Sequence, residues 1–471
     1  MFAGTPQYRQ AAVNPKAVAG SFRDPHGTVY RAGGTLYREI SRDYEPDWSL
    51  LLQSGLLDEL IEEGILVRHQ EVDPRLGLSP DAWKVIRPDP IPFVSYPWEW
   101  CFGQLRAAAL LTLDLQRRAL ARGQSLKDAS AFNVQFRRSR PLFIDTLSFE
   151  KYVPGRPWVA YQQFCRHFLA PLLLMSKVDP RLGLLSREHP DGIPLDLAAG
   201  VLPWPTRLRP GVALHIHLHA ASIRKHQRDR VPDIRMRRRV SPTGLLGLLD
   251  NLESLITRLE CRVSGSAWWD YEETHGYQPQ AVAEKGRLLV ALAGPRPGMV
   301  WDLGANTGRF AELLAPVATG IVAMDGDHGA VERHWHRRQE DPAEILPLVM
   351  DFTNPSPSAG WALEERDSLH DRGPAETVLA LALVHHFAIG NNVPLGRIAA
   401  WLARLGRRVI IEWVPKEDPQ VQRLLVARKD VFDNYHQEGF EQAMAEWFRP
   451  VRRVTVPGTE RVLYSFERIA R

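Results

Sequence analysis

The chain has 471 residues, of which 44% are hydrophobic and 24% are charged, and its formal net charge is +4. These values are ordinary for a globular protein and exclude a fibrous or an intrinsically disordered chain. The length suffices for two or three domains with substantial cores, and the small net charge does not by itself indicate a polyanionic partner.

The N-terminus and the cysteines indicate the compartment. Residues 1–7 contain no apolar core of signal-peptide length, and no segment reaches the ~18 apolar residues that a membrane span requires. Cys101, Cys165 and Cys261 are too far apart in sequence for a zinc motif or a disulfide framework. We therefore expect a cytoplasmic protein with reduced thiols, no metal site and no membrane partner.

The first half of the chain contains the residue spacing of a kinase catalytic loop. Asp128 and Asn133 have the Asp-x4-Asn spacing, and Asp145 follows at the distance of the metal-binding aspartate. The elements predicted before this loop are strands around Thr28 to Ile40 and Trp83 to Val94, and helices around Leu50 to Glu63 and Gln104 to Ala121. Residues from about 20 to 220 thus resemble the protein-kinase-like phosphotransferases.

Several departures argue against phosphoryl transfer by this half. No glycine-rich phosphate loop precedes the first predicted strand, and Arg38 stands where a lysine is expected. The His-Arg pair before the catalytic aspartate is replaced by Leu126 and Lys127. The sequence therefore predicts an α+β, kinase-like and degenerate domain over residues 1–222 that binds a substrate or partner. An active phosphotransferase, and an unrelated fold in which the polar residues only cap turns, remain as alternatives.

A basic segment follows this half, and residues 223–243 are predicted to form a linker. Its basic residues are Arg224, Lys225, Arg228, Arg230, Arg235, Arg237, Arg238 and Arg239. Such a run is usually a solvated linker, although it can also bind nucleic-acid phosphates. No aromatic residue interleaves the run, which disfavours stacking on single-stranded bases.

A second domain is predicted to span residues 244–471. Leucine and isoleucine recur at helical spacing from Leu245 to Leu259. Trp268, Trp269 and Tyr271 precede a helix that contains Lys285 and leads into the first strand. These aromatic residues either form a lid over a ligand or pack in the core, and the sequence leaves both possibilities open.

The run from Val300 to Gly308 is an apolar strand that breaks into a glycine loop. Gly304 and Gly308 permit backbone conformations and ligand contacts that a Cβ atom would prevent. The G-x-G-x-x-G fingerprint of NAD-binding folds is not met, because Asn306 and Arg309 occupy its later glycine positions. A pyrophosphate cofactor is therefore disfavoured.

Further apolar runs end in polar residues, as strands buried on both faces of a parallel sheet do. The runs are Ile321 to Met324 before Asp325, Leu346 to Met350 before Asp351 and Phe352, and Val378 to Val384 before His385 and His386. Asp325 is placed to hydrogen-bond a ribose, with Asp327 as a second candidate. The alternating segment Arg461 to Arg468 predicts a half-exposed strand of a closing antiparallel hairpin.

The order of these motifs over roughly residues 265 to 471 resembles the class I S-adenosylmethionine-dependent methyltransferases. The pattern of that superfamily is Asp-x-Gly-x-Asn/Gly-x-Gly, an acid after strand two, and Asp plus an apolar residue after strand three. The resemblance implies a Rossmann-like seven-stranded α/β sheet with S-adenosyl-L-methionine as cofactor. It also implies the roles of the cofactor-binding residues: Gly304, Asn306 and Gly308 flank the methionine part, Asp302 supports the loop, Asp325 holds the ribose, and Asp351 and Phe352 contact the adenine.

Candidate catalytic residues follow strands four and five. His385 and His386 lie where ligands gather in open α/β sheets, and an imidazole can remove a proton from an acceptor hydroxyl. At most one of the two is expected to face the acceptor, and both can instead hydrogen-bond the loop 388–394. Glu412 is placed to pair with a histidine, to contact the acceptor or to cap the surface. The Asn/Asp-Pro-Pro-Tyr motif of base N-methyltransferases is absent.

Several local strings are similar to bacterial methyltransferases that include nodulation-type host-specificity proteins. The strings are Leu381 to His386, Ile411 to Lys416, Phe143 to Asp145 and Trp158 to Cys165. This resemblance implies a methyltransferase that acts on a glycan or another small molecule. Our leading hypothesis is O-methylation of a small-molecule or glycan-like acceptor that the N-terminal half presents. The alternatives are a bifunctional kinase-like methyltransferase and an RNA methyltransferase that uses the basic linker.

Overall fold

The computed structural model describes residues 15–222, 239–261, 279–340, 343–426 and 429–470. The basic run from Arg224 to Arg238 and the aromatic residues Trp268, Trp269 and Tyr271 lie outside these ranges, so the expectations of a linker and of a lid stay predictions. Within the described ranges, no helix combines the length and the apolar character needed to span a bilayer.

The N-terminal half begins with an antiparallel five-stranded sheet in the order β1-β2-β3-β5-β4. These strands are β1 (Lys16–Ala17), β2 (Gly27–Ala32), β3 (Thr35–Ile40), β4 (His69–Val72) and β5 (Lys84–Pro88). Two short helices, Glu45–Gln53 and Leu56–Glu62, connect β3 to β4. They are separated at Gly55, whose φ of 70° is accessible to glycine at little cost.

The remainder of this half is organised around the helix Phe102–Ala121, which buries one long face. Two antiparallel ribbons follow it, β6 (Gln124–Leu126) with β9 (Phe149–Lys151), and β7 (Val134–Arg137) with β8 (Arg140–Phe143). The other helical segments are Tyr161–Phe164, Cys165–Leu169, Ala170–Lys177, Leu185–Glu188, Leu195–Val201, Pro210–Val212 and Ala213–Leu218. An α+β architecture is therefore present, as expected for this half.

The C-terminal half contains a seven-stranded sheet in the order β12-β11-β10-β13-β14-β16-β15. The strands are β10 (Met299–Leu303), β11 (Gly320–Asp325), β12 (Ile345–Val349), β13 (Ala375–Ala380), β14 (Gly406–Trp413), β15 (Phe448–Thr455) and β16 (Val462–Arg468). The first five are mutually parallel, and β16 is antiparallel to both β14 and β15. The predicted seven-stranded sheet with its closing hairpin is thus confirmed.

Helices cover both faces of this sheet, which explains why its parallel strands read as continuous apolar runs. The helices are Pro279–Ala293, Arg309–Leu314, His328–Glu340, Leu395–Leu405, Pro419–Leu425 and Gln437–Ala445, with a π-helical turn at His386–Gly390. The helix Pro242–Thr257, which sequence spacing assigned to the catalytic domain, lies against the helix Phe102–Ala121, where Arg117 pairs with Asp250 and Glu253.

The N-terminal half covers β12, the edge strand of the seven-stranded sheet. Ser139 Oγ donates to the carbonyl of Ile345 at 2.9 Å, and Gln104 Nε2 donates to that of Pro347 at 2.9 Å. These alternate carbonyls point away from the sheet, and the proline at 347 has no outward N–H to leave unpaired. Buried residues of both halves belong to one apolar cluster. The edge is therefore closed against pairing with another chain.

A close contact at this junction predicts a stability effect. A Cβ atom on Gly103 would lie 2.5 Å from Cδ1 of Trp335, so we expect Gly103→Ala to lower the free energy of unfolding by about 1–3 kcal/mol through overpacking. Gly247 is the control, because it is an exposed helical glycine with open space around its Cβ position. Gly247→Ala should leave the melting temperature unchanged or raise it. Equal melting temperatures for both variants would contradict the expected packing.

Candidate active site

The loop after β10 requires unusual backbone conformations at alternate residues. Gly304, Asn306 and Gly308 have φ values of 75°, 48° and 85°. A Cβ on Gly308 would lie 2.0 Å from the ring of His334, and one on Gly304 would lie 3.3 Å from Leu383. Glycine is therefore dictated at position 308 by both conformation and space.

The carboxylate of Asp325 holds this loop. Asp325 ends β11, and its Oδ2 accepts the backbone N–H of Asn306 at 2.7 Å, while Oδ1 accepts that of Asp327 at 2.8 Å. Burial raises the pKa of Asp325 to about 6. Asp327 caps the helix His328–Glu340, because its carboxylate accepts the N–H groups of Gly329 and Ala330 at the start of that helix. Of the two candidate acids, Asp325 is the one bound to the glycine loop.

Asp302 lies beneath the same loop and is 2% exposed. Burial, followed by the charge of Asp325, raises its pKa to about 7, whereas Lys285 opposes the shift. Its Oδ2 atom has no hydrogen-bond partner among the described residues. A cationic group near this carboxylate would therefore be strongly favoured.

Asp351 and Phe352 follow β12 at the same edge of the sheet. The Asp351 side chain is exposed and accepts the backbone N–H and the hydroxyl of Thr353, at 2.8 and 2.6 Å. The ring of Phe352 is half-buried and meets Trp401 edge-on at 6.0 Å, and Trp401 also contacts Phe387 at 5.5 Å. The rings of Phe352, Trp401 and Phe387 thus pack in series. Sequence reasoning missed Trp401, whose only signal is its place in the amphipathic helix Leu395–Leu405.

The two histidines occupy different environments. The strand β13 ends at Ala380, earlier than the apolar run to Val384 predicted, and Ala382 has a φ of 50°. His385 is fully buried and its ring nitrogens have no hydrogen-bond partner among the described residues, whereas His386 is partly exposed. Their rings lie 4.2 Å apart. Burial lowers the pKa of His386 to about 4, with the charge of Arg461 contributing, and lowers that of His385 further.

Glu412 belongs to a buried group of charges. Its Oε2 accepts from Lys285 Nζ at 2.6 Å, and its Oε1 lies 3.8 Å from Nη1 of Arg461. Arg461 also donates from Nε to Asp418 at 2.7 Å. Glu412 is fully buried, which rules out a surface cap. Its contact with the acceptor stays a prediction, and Lys285, which the sequence placed only on a helix, is its ion-pair partner.

The strand order defines the class of this protein. When the strands β10 to β16 are renumbered 1 to 7 in chain order, their order in the sheet is 3-2-1-4-5-7-6. This order reverses between β10 and β13, and ligands of open α/β sheets bind at such a reversal. The glycine loop leaves β10 at this point and an acid ends β11. The chain therefore has the fold of the class I S-adenosylmethionine-dependent methyltransferases.

Comparison with known proteins gives the family. The chain is 35% identical over 469 residues to nodulation protein NoeA of Rhizobium meliloti (strain 1021), with 97% of each chain covered. The chain therefore belongs to the NoeA family of nodulation proteins. No model of a known protein family matches it.

Solved structures with local similarity include two methyltransferases. The N-methyltransferase NodS from Bradyrhizobium japonicum WM9, in complex with S-adenosyl-L-homocysteine, is 14% identical with a TM-score of 0.32 and covers 44% of this chain and 93% of its own. Magnesium protoporphyrin IX methyltransferase from Synechocystis PCC 6803, with S-adenosylmethionine bound, is 16% identical with a TM-score of 0.29 and covers 44% of this chain and 87% of its own. At these scores the class assignment rests on the strand order and the glycine loop.

The raised pKa of Asp302 predicts that the stability of the protein depends on pH. The carboxyl group ionises at a lower pH in the unfolded chain, so the stability of the native chain falls as pH rises from about 4 to about 7. Asp302→Asn should therefore raise the melting temperature at pH 8, and the gain should vanish near pH 4. Thermal unfolding across this pH range measures the effect, and a gain that does not vary with pH would contradict it.

Proposed function

We propose that this chain is an S-adenosylmethionine-dependent methyltransferase that methylates an oxygen atom of a small-molecule or glycan-like acceptor, with its cofactor held by the loop Gly304–Gly308 and by Asp325. The observation that carries the proposal is the carboxylate of Asp325 bound to the Asn306 N–H at the point where the strand order reverses. Backbone and acid are thus already arranged around one crevice.

The chemistry of the residues fits S-adenosylmethionine. Bound there, the cofactor supplies an electrophilic methyl group on a positively charged sulfonium. Asp302 and Asp325 are carboxyl groups whose burial disfavours ionisation, so a nearby positive charge would lower both pKa values. Asp325 would accept hydrogen bonds from the ribose hydroxyls, and Asp351 with Phe352 would contact the adenine.

His386 is assigned to the acceptor hydroxyl. Its low pKa leaves the imidazole neutral at pH 7, so a ring nitrogen can accept the hydroxyl hydrogen. The hydroxyl becomes far more acidic as its oxygen gains the methyl group, which allows a weak base to take the proton late. His385 is fully buried, so we do not assign it to the acceptor. Glu412 would act through its ion pair with Lys285 instead of through direct contact.

The cofactor assignment is tested by two aspartate variants. Asp325→Ala should weaken binding of S-adenosylhomocysteine by about 1–3 kcal/mol, because it leaves buried donors unpaired. Asp327→Ala is the matched control, since it removes a helix cap and should cost about 1 kcal/mol of stability without changing the affinity. Calorimetric titration and thermal unfolding give both values. Unchanged affinity in Asp325→Ala would move the ribose contact to another residue.

The acceptor class is tested by mass spectrometry. Neutral oligosaccharides, small alcohols and short RNA are incubated with the chain and S-adenosylmethionine, and each is examined for one added methyl group. Methylation of an oligosaccharide or alcohol supports the proposal, and methylation of RNA alone would overturn it. The RNA alternative relies on the basic run from Arg224 to Arg239, of which only Arg239 belongs to the described residues.

The N-terminal half is proposed to be a degenerate kinase-like domain. Three features support this proposal: the strand order of its first sheet, the helices after β3, and the loop that contains Asp128 and Asn133. Arg38 forms ion pairs with both Asp24 and Asp145, so the aspartate that would hold magnesium is already neutralised. Asp145 further accepts from Ser148 Oγ at 2.7 Å.

This arrangement predicts that the N-terminal half does not bind magnesium ATP. Calorimetric titration of the full chain with ATP and magnesium should give no heat of binding, and the chain should release no phosphate. Arg38→Lys removes one of the two ion pairs and tests whether the guanidinium is the barrier. Binding by the unmodified chain, lost in Asp145→Ala, would instead favour the bifunctional enzyme.

A further inference from the structure

A buried network joins the N-terminal half to the loop that follows Asp351 and Phe352. Ser356 lies in this loop, shortly after Phe352, and is 5% exposed. Its hydroxyl donates to Oε1 of Glu99 at 2.5 Å and accepts from Nε1 of Trp98 at 3.0 Å. Both partners precede the helix Phe102–Ala121, so the loop of the catalytic half is held by residues of the other half.

Glu99 is itself fixed by further contacts. Arg372 donates to both of its oxygens, at 2.6 and 2.9 Å, and the backbone N–H of Tyr96 donates to Oε2 at 3.0 Å. The side chains of Glu99 and Arg372 are 1% and 4% exposed. A charge pair buried this deeply keeps its geometry, because moving either group would leave the other unpaired.

Hydrogen bonds hold the segment from Asp351 to Ser356 at both of its ends. Asp351 starts it with a tight turn closed by Thr353, and the backbone N–H of Met350 donates to the carbonyl of Asp325 at 2.8 Å. Ser356 is tied back to Met350, whose sulfur accepts the Ser356 N–H at 3.4 Å. The exposed part of the loop therefore stands between one anchor at the ribose strand and one anchor in the N-terminal half.

We propose that Ser356, Trp98 and Glu99 are positioning residues for the adenine of the cofactor, so that the N-terminal half is a structural part of the cofactor site. The inference rests on the proposed function, which places Asp351 and Phe352 at the adenine. Without the anchor at Ser356, the loop samples more conformations and must be ordered when the cofactor binds. That ordering entropy lowers the affinity.

Two conservative variants test the anchor. Ser356→Ala removes the hydroxyl and leaves the pair of Glu99 and Arg372 intact, and Trp98→Phe removes one N–H while retaining a large buried ring. Each should weaken S-adenosylhomocysteine binding by about tenfold in calorimetric titration, and Ser356→Thr should restore the affinity. Adenosine should lose affinity by the same factor, since it shares the adenine but lacks the amino-acid part.

Ser139 supplies the matched control. It also bonds across the two halves, is 2% exposed and donates to β12, but at the end of the strand away from the loop. Ser139→Ala should lower the melting temperature about as much as Ser356→Ala does, with the ligand affinity unchanged. An equal loss of affinity in Ser139→Ala would show general loosening and would overturn the inference.

The remaining outcomes separate the two proposals. If the unmodified chain binds S-adenosylhomocysteine and both anchor variants bind it equally well, the inference is wrong and the proposed function stands. If the unmodified chain does not bind it, the proposed function is wrong and the inference is overturned with it. Should Ser356→Ala fail to fold, Trp98→Phe alone decides in the same way.

Discussion

The hydrogen bond from the Asn306 N–H to the Asp325 carboxylate is the interaction on which the rest of the site depends. It couples the ends of β10 and β11, so the glycine loop cannot move without the acid. Gly308 makes the geometry possible because the ring of His334 occupies the space that a Cβ would need. Protein groups alone therefore hold the glycine loop in place at the reversal of strand order.

Several charged side chains are buried near the glycine loop, and burying them costs free energy of folding. Asp302 is buried without a hydrogen bond to Oδ2 from the described residues, and its pKa of about 7 expresses the cost of its ionisation. Lys285 and Glu412 lie at the same edge as a buried ion pair. Such groups rarely improve stability over apolar residues, and the positive charge of the proposed cofactor would offset part of the cost of burying Asp302.

The N-terminal half has a structural role that does not depend on any chemistry of its own. It saturates the outward carbonyls of the edge strand β12, and through Trp98 and Glu99 it holds the loop beyond that strand. The ion pairs of Arg38 with Asp24 and Asp145 join segments within this half. Both halves share one apolar cluster, so the seven-stranded sheet and the N-terminal half pack as one core.

The sequence by itself predicted the parallel strands, the glycine loop with Gly304 and Gly308, and the acid at Asp325, because continuous apolar runs, a glycine-broken loop and an acid at a strand end are local signals. The number of seven strands came from the resemblance to a known superfamily. The sequence overestimated the fourth strand, since Leu381 and Val384 are buried in the core without pairing in the sheet. Only the tertiary structure decided which histidine is exposed, that Lys285 is the partner of Glu412, and that Glu99 reaches Ser356. Those contacts join residues far apart in the chain, and no pattern within a segment specifies them.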